Sequence, residues 1–179
     1  MKKSIIAAVR SNEELVSATG SDAEMIFMLA PNIEDIKNQT DLVHKAGKKL
    51  FIHIDLAEGI GKDEYGIRFA KKQGVDGIIS TRTNIIRMAR KAEMFTVQRF
   101  FIVDSHSLET TVESIKMSKP DMIEIMPGTL TKVIKRLKKE LDIPVVAGGL
   151  IETMDEIKEA LSCGAYGVSI GKKEFWGVL

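Results

Sequence analysis

Eight short runs of apolar and β-branched residues recur along the chain, separated by longer charged segments whose apolar residues have helical spacing. The runs are apolar on both faces, as strands buried between two layers are. A chain in which strands and helices alternate forms parallel strands joined by crossover helices. The eight predicted strands are Ser4–Val9, Met25–Leu29, Leu50–Ile54, Gly77–Ile79, Thr96–Val103, Met122–Met126, Pro144–Ala147 and Gly167–Ile170.

The number of strands decides between the α/β folds. Eight strands indicate a compact (β/α)8 barrel of the TIM type, whereas a flavodoxin-like open sheet needs only about five or six. Such barrels usually have about 250 residues; this chain has 179, so its loops and helices must be short. We therefore predict that residues 1–179 form a single β/α barrel domain. The predicted helices are Asn12–Ala18, Ile33–Ala46, Asp63–Gln73, Ile85–Lys91, Leu108–Met117, Leu130–Leu141 and Met154–Cys163.

Two similar segments lie about half a chain apart, KKQGVDGIIS and LSCGAYGVSI. In each, a glycine is placed to end a helix, at Gly74 and Gly164, and a second glycine opens the next strand three residues later. We interpret the two segments as copies of one helix-to-strand joint, which indicates a repeated architecture.

Composition excludes several classes of protein. The chain has 26 Lys and Arg against 25 Asp and Glu, so its net charge of +1 gives no general attraction to nucleic acid. Cys163 is the only cysteine, which excludes an intrachain disulfide and suits a reducing compartment. No stretch approaches the roughly 20 apolar residues of a membrane helix, and the apolar run near the start is too short for a signal peptide. We expect a cytoplasmic protein without membrane contact.

The ends of the last two strands carry the strongest signal for a ligand. Barrels often bind phosphate between the loops that follow strands 7 and 8, where small residues let backbone N–H groups approach the oxygens. A short helix beginning in Lys173–Trp176 is expected to add a favourable dipole. The alternative is that the glycines only form tight turns. The predicted phosphate-binding residues are Gly148, Gly149, Ser169, Gly171 and Lys172.

Polar residues within predicted strands indicate a second part of the site. His53 and Asp55 share one face of strand 3, and Glu124 lies in the middle of strand 6, where a carboxylate needs a partner. Asp55 and Glu124 could be a general acid and base, or they could belong to a polar layer that holds ligand hydroxyls. Sequence leaves both open. No catalytic residue, metal ligand or cofactor is assigned, since no nucleophile, metal or P-loop motif is present. The predicted hydroxyl-binding residues are Asp55, Gln98, Arg99 and Glu124.

Basic residues cluster on two predicted helices. Those on the helix after strand 6 follow a spacing of three to four residues and share a face. Such a face could contact RNA phosphates, or it could be an ordinary solvated helix surface. A second group, Arg82, Arg87, Arg90 and Lys91, follows strand 4. The residues predicted to contact RNA are Lys132, Lys135, Arg136 and Lys139.

Several of these segments also resemble a known family. FIHIDLAEGIGKDEYGIRFAKKQGVDGIISTR resembles the strand-3 to strand-4 region of the glycerol-3-phosphate-responsive antiterminators, also called glycerol uptake operon antiterminator regulatory proteins. TVQRFFIVDS, KPDMIEIMPG and PVVAGGLI are similar to later segments of that family, in the same order. The resemblance extends from about Phe27 to Trp176.

The resemblance implies a regulator. Members of the family sense glycerol 3-phosphate, act on the leader mRNA of glycerol-utilisation genes and prevent premature termination of transcription. A phosphate with two adjacent hydroxyls suits a rim that combines small residues with polar side chains. RNA contact would then come from the barrel surface or from a homo-oligomer. The alternative is a TIM-barrel enzyme acting on a small phosphorylated substrate, such as an isomerase, an aldolase or a phosphodiesterase.

Overall fold

The computed structural model describes residues 4–178, whose strands close into one parallel eight-stranded barrel. Each strand pairs with the next along the chain, and pairing of the first with the eighth, Ile6 opposite Ser169, closes the barrel. The predicted TIM-type fold is confirmed. The strands are β1 (Ser4–Val9), β2 (Met25–Met28), β3 (Lys49–His53), β4 (Gly77–Ser80), β5 (Phe95–Phe101), β6 (Met122–Met126), β7 (Val145–Gly148) and β8 (Gly167–Ile170).

Helices follow the first seven strands and pack outside the barrel. None of those within residues 4–178 is long and apolar enough to cross a lipid bilayer. Single 3₁₀ turns occur at Ile54–Leu56 and Lys173–Phe175. The α-helices are α1 (Asn12–Thr19), α2 (Ile36–Lys45), α3 (Glu64–Lys72), α4 (Thr83–Lys91), α5 (Ser105–Ser118), α6 (Thr131–Glu140) and α7 (Met154–Ser162).

Helix caps explain where the helix boundaries differ from the predicted ones. Helix α5 begins three residues earlier than predicted because Asp104 and Ser107 form a reciprocal capping box. Helix α2 begins three residues later, because the side chain of Asn32 accepts hydrogen bonds from the amides of Glu34 and Asp35 and holds a turn there. Apolar spacing alone contains neither signal.

The predicted helix-to-strand joint is present twice. Gly74 and Gly164 end their helices with positive φ angles of 88° and 104°, a conformation that L side chains rarely adopt. The second glycine of each joint allows close packing: a Cβ on Gly77 would lie 2.4 Å from the ring of Phe51. The joints therefore need glycine for two different reasons, helix termination and close strand packing.

The core has two layers, one inside the barrel and one between the strands and the helices. Side chains of a strand alternate between these layers, so residues two apart share a face. Inside the barrel, Phe51, Val97 and Met122 belong to one apolar cluster. The residues two positions further along their strands are His53, Arg99 and Glu124. The interior thus changes from apolar to polar towards the C-terminal ends of the strands, where barrel sites lie.

Candidate ligand-binding site

A cavity of about 150 Å³ opens at the C-terminal end of the barrel. It is smaller than the roughly 300–1,000 Å³ of sites for drug-sized ligands, so it suits one small metabolite. Two arginines, two glycines and a serine on its wall combine positive charge with accessible backbone. These residues are Arg10, Arg99, Gly149, Ser169 and Gly171.

Arg99 forms a buried ion pair at the cavity wall. It lies opposite Glu124 in the β5–β6 register, and its Nε donates to Glu124 Oε2 over 2.7 Å. Glu124 is fully buried and Arg99 is 6% exposed. Within residues 4–178, Arg99 Nη2 and Glu124 Oε1 have no hydrogen-bond partner. An unsatisfied buried polar group costs about 1–3 kcal/mol, so this pair leaves one donor and one acceptor unsatisfied beside the cavity.

His53 belongs to the same polar layer. It is buried, and its Nδ1 has no hydrogen-bond partner in the part of the chain that the structure describes. Burial, and next the charge of Arg99, lower the pKa of His53 to about 4. The ring is therefore neutral at physiological pH, with one nitrogen that donates and one that accepts. No cluster of three His, Cys, Asp or Glu residues able to hold a metal ion occurs within residues 4–178.

The predicted phosphate residues divide into two groups. Gly149, Ser169 and Gly171 line the cavity. Gly148 has another role, because a Cβ there would lie 2.3 Å from Glu124 Oε1, so this glycine makes room for the carboxylate. Lys172 is not on the cavity wall; its Nζ donates to the carbonyl of Glu152 over 3.1 Å.

The expectation of a helix dipole beside the cavity is also corrected. The helix predicted to begin in Lys173–Trp176 is a single 3₁₀ turn, Lys173–Phe175. One turn has too few aligned peptide units to supply a substantial macrodipole. Positive charge at this end of the cavity therefore comes from side chains.

Arg10 supplies that charge, although it is not among the residues predicted from the sequence. It directly follows β1, which lies beside β8 in the closed barrel, and it is exposed. Its guanidinium has no hydrogen bond or ion pair with any described residue. The available signal was its position, one residue after the end of a predicted strand, where barrel sites are built.

The loop after β7 has an unusual backbone. Gly149 and Leu150 both have positive φ angles, 72° and 56°. Leu150 is 72% exposed although it lines the cavity. A left-handed conformation is unfavourable for a leucine, and such strain concentrates at ligand-binding loops. This supports a functional rather than a purely structural role for the loop.

Gln98 does not join the site. Because Arg99 points into the barrel, its neighbour on β5 must point outward. The Gln98 side chain accepts a hydrogen bond from Ser118 of α5 and donates to Thr83 of α4 over 3.3 Å. Its placement among the hydroxyl-binding residues is thus corrected: Gln98 connects two outer helices.

Asp55 lies in the 3₁₀ turn after β3 and is already hydrogen-bonded. Its carboxylate accepts from Ser80 Oγ at 2.8 Å, from the Thr81 amide at 2.7 Å and from Arg82 Nε at 3.0 Å. Burial acts to raise the pKa of Asp55, but these hydrogen bonds outweigh it and hold the pKa below its usual value. Asp55 therefore fixes the β4–α4 loop, and its acceptor sites are occupied without a ligand.

The basic face predicted to contact RNA lies on the outside of the barrel. All four of its residues on α6 are exposed. Arg136 donates from Nε to Glu140 Oε1 over 2.7 Å, so one of the four charges is already paired. The face is accessible to a large polyanion and lies in a different layer from the interior site.

Comparison with known proteins agrees with this architecture. Residues 5–176 match the family model for the glycerol-3-phosphate responsive antiterminator. The glycerol uptake operon antiterminator regulatory protein of Listeria monocytogenes is 33% identical, with a TM-score of 0.92 over 98% of this chain and 96% of that one. A related Thermotoga maritima protein is 31% identical, with a TM-score of 0.88 over 98% and 99%.

A similar sequence also occurs in Escherichia coli K12. Its protein YgcP is 36% identical over 173 residues, which cover 96% of this chain and 91% of YgcP. Together, the family model and the full-length matches to the solved structures establish the relationship. The chain belongs to the family of glycerol-3-phosphate responsive antiterminators.

Proposed function

We propose that this protein is a cytoplasmic sensor of glycerol 3-phosphate that binds the leader mRNA of glycerol-utilisation genes and prevents premature termination. The observation that carries the ligand assignment is the open donor of Arg99 and the open acceptor of Glu124 behind a small cavity. Glycerol 3-phosphate offers acceptor oxygens and donating hydroxyls on one small molecule. Family membership supports the regulatory part of the proposal.

The phosphate would bind where β7, β8 and β1 end. Arginine recognises phosphate well because its planar guanidinium can donate two parallel hydrogen bonds. Arg10 is the unpaired cation at this end of the cavity, and Gly149, Ser169 and Gly171 leave the backbone accessible. The glycerol moiety would then point inward, with Arg99 Nη2 donating to one oxygen and Glu124 Oε1 accepting from a hydroxyl.

The RNA would bind outside the barrel. The basic face of α6, comprising Lys132, Lys135, Arg136 and Lys139, remains the sequence-predicted contact. An outer helix can meet RNA phosphates while a ligand occupies the strand ends, so the two ligands need not compete. A homo-oligomer would increase binding by presenting several such faces to one transcript.

The alternative of an enzyme has less support from the geometry. The two carboxylates predicted as acid and base are both engaged, Asp55 with the β4–α4 loop and Glu124 with Arg99. A general base must have a free acceptor near the proton that it removes. Only Glu124 retains one, and a single buried, paired carboxylate suits binding better than proton transfer.

Fluorescence anisotropy of a labelled glycerol-operon leader RNA tests the proposed function. We expect at least tenfold tighter binding when glycerol 3-phosphate is present, a change of about 1.4 kcal/mol. Glycerol and inorganic phosphate are the controls and should have little effect. RNA affinity that does not respond to glycerol 3-phosphate, or turnover of this compound by the protein, would contradict the proposal.

A further inference from the structure

A groove of about 560 Å³ lies on the outer surface of the barrel. It lies between α4 and α5 and is distinct from the strand-end cavity in both position and lining. Four cationic residues line it: Arg87, Arg90, Lys91 and Lys119. All four are exposed.

The charge of this groove is unbalanced. No acidic side chain lines it, and none of its four cations forms an ion pair within residues 4–178. The neighbouring groove between α3 and α4 differs, because Arg68 pairs with Glu64 and Lys71 pairs with Glu93. Like charges held together without counter-charges attract an anionic partner.

The groove also has an apolar component and a fixed edge. Met88 and Met117 lie among the cations, and Met117 is 62% exposed. At the end of α5, the Lys119 backbone is left-handed, with φ 49°, and its carbonyl accepts a hydrogen bond from Arg90 Nη1. This contact ties α4 to the end of α5 and holds the two walls together.

We propose that this α4–α5 groove binds a single-stranded segment of RNA. The four cations would contact successive phosphates, and Met88 and Met117 would contact exposed base faces. Single strands suit such a site better than duplexes because their bases are free to reach an apolar surface. The inference rests on the proposed function, since it assigns a place to the RNA, and it makes the α6 face a second contact.

The groove and the ligand cavity share strand β5. Arg99 faces the cavity, and its neighbour Gln98 is hydrogen-bonded to Thr83 of α4 and Ser118 of α5. Ser118 itself lines the groove. One strand therefore contacts both sites, which gives ligand binding a direct physical connection to the two groove walls.

Removal of two groove charges tests the inference. We expect Arg87→Gln with Lys91→Gln to weaken binding of labelled leader RNA on the order of tenfold, measured by anisotropy with glycerol 3-phosphate present. Each lost phosphate contact should also lower the salt dependence by about 0.7 log unit per log unit of salt. The charge-conserving pair Arg87→Lys with Lys91→Arg should retain most of the binding.

The matched control removes two cations from the neighbouring groove, Arg68→Gln with Lys71→Gln. This control changes the net charge by the same amount but leaves Arg87 and Lys91 of the α4–α5 groove in place. RNA affinity should therefore stay within about twofold of wild type. Calorimetry with glycerol 3-phosphate checks that each variant is folded. Equal losses in both double variants, or no loss in the groove variant, would overturn the groove assignment alone. If the wild-type protein binds no leader RNA, the proposed function fails as well.

Discussion

At the scale of the residue, Gly148 and Glu124 depend on each other. A Cβ at position 148 would lie 2.3 Å from Glu124 Oε1, which has no hydrogen-bond partner among residues 4–178. We expect Gly148→Ala to displace Glu124, disturb its ion pair with Arg99 and weaken glycerol 3-phosphate binding at least tenfold. Overpacking of this kind also destabilises a protein by about 1–3 kcal/mol.

Gly20→Ala is the matched control for this change. A Cβ on Gly20 would lie 3.7 Å from its nearest neighbour, an ordinary contact remote from the cavity. Calorimetric titration of both variants with glycerol 3-phosphate provides the measurement. Unchanged affinity in folded Gly148→Ala would show that Glu124 has no part in the site.

His53 should make stability depend on pH. Its pKa is about 4 in the native state and about 6.5 in an unfolded chain. The unfolded chain therefore binds more protons between these values, so the free energy of unfolding falls as pH decreases from 6.5 to 4. The loss should approach about 3 kcal/mol at pH 4.

Chemical unfolding of wild type and His53→Gln at pH 7 and pH 4.5 measures this effect. The variant lacks the titrating ring, so its stability should decrease less over this range. Parallel decreases in the two proteins would mean that other groups cause the acid sensitivity and that His53 titrates normally.

At the scale of the element, the two polar neighbours on β5, Gln98 and Arg99, face opposite sides of the strand. Gln98 and Arg99 were both predicted to hold ligand hydroxyls, but alternation along a strand allows only one of them to face the barrel interior. Which one does so depends on pairing with β6, where Arg99 lies opposite Glu124. That register is a tertiary property, so the polar residues were predictable and their orientation was not.

Other elements also show which features follow from local sequence and which depend on tertiary contacts. Eight strands and seven helices were predicted, because apolar spacing and helix-ending glycines such as Gly74 and Gly164 are local signals. The charge of Lys172 predicts a phosphate contact, but its hydrogen bond to the carbonyl of Glu152 depends on how two loops meet. Arg10 was overlooked because its role depends on closure of β1 against β8.

Gln98 should transmit ligand binding rather than contribute to it. We expect Gln98→Met to leave glycerol 3-phosphate affinity within about twofold, because its side chain points away from the cavity. The ligand-induced change in RNA affinity should fall by at least half, since the link from β5 to α4 and α5 is lost. Anisotropy with and without glycerol 3-phosphate measures both quantities.

Gln39→Met provides the comparison. Gln39 is also a buried glutamine, but it lies on α2, between β2 and β3 along the chain, and donates to Asn12. Its replacement should leave the ligand response intact. An undiminished response in Gln98→Met would mean that β5 does not connect the two sites.

At the scale of the whole molecule, the fold places the strand-end cavity and the cationic surfaces of the outer helices in different layers. The barrel interior places Arg99, Glu124 and His53 behind a small cavity at the strand ends, while the outer helices carry unpaired cations. A small ligand in the cavity would therefore leave the proposed RNA surfaces on the outer helices accessible.

The central claim is that the strand-end cavity is the site for glycerol 3-phosphate, and calorimetric titration tests it most directly. We expect wild type to bind glycerol 3-phosphate more tightly than either inorganic phosphate or glycerol. Arg10→Gln should weaken that binding at least tenfold, or about 1.4 kcal/mol. Arg68→Gln, which removes an arginine outside the cavity, should not. Equal affinities of wild type and Arg10→Gln, or no binding by wild type, would contradict the claim.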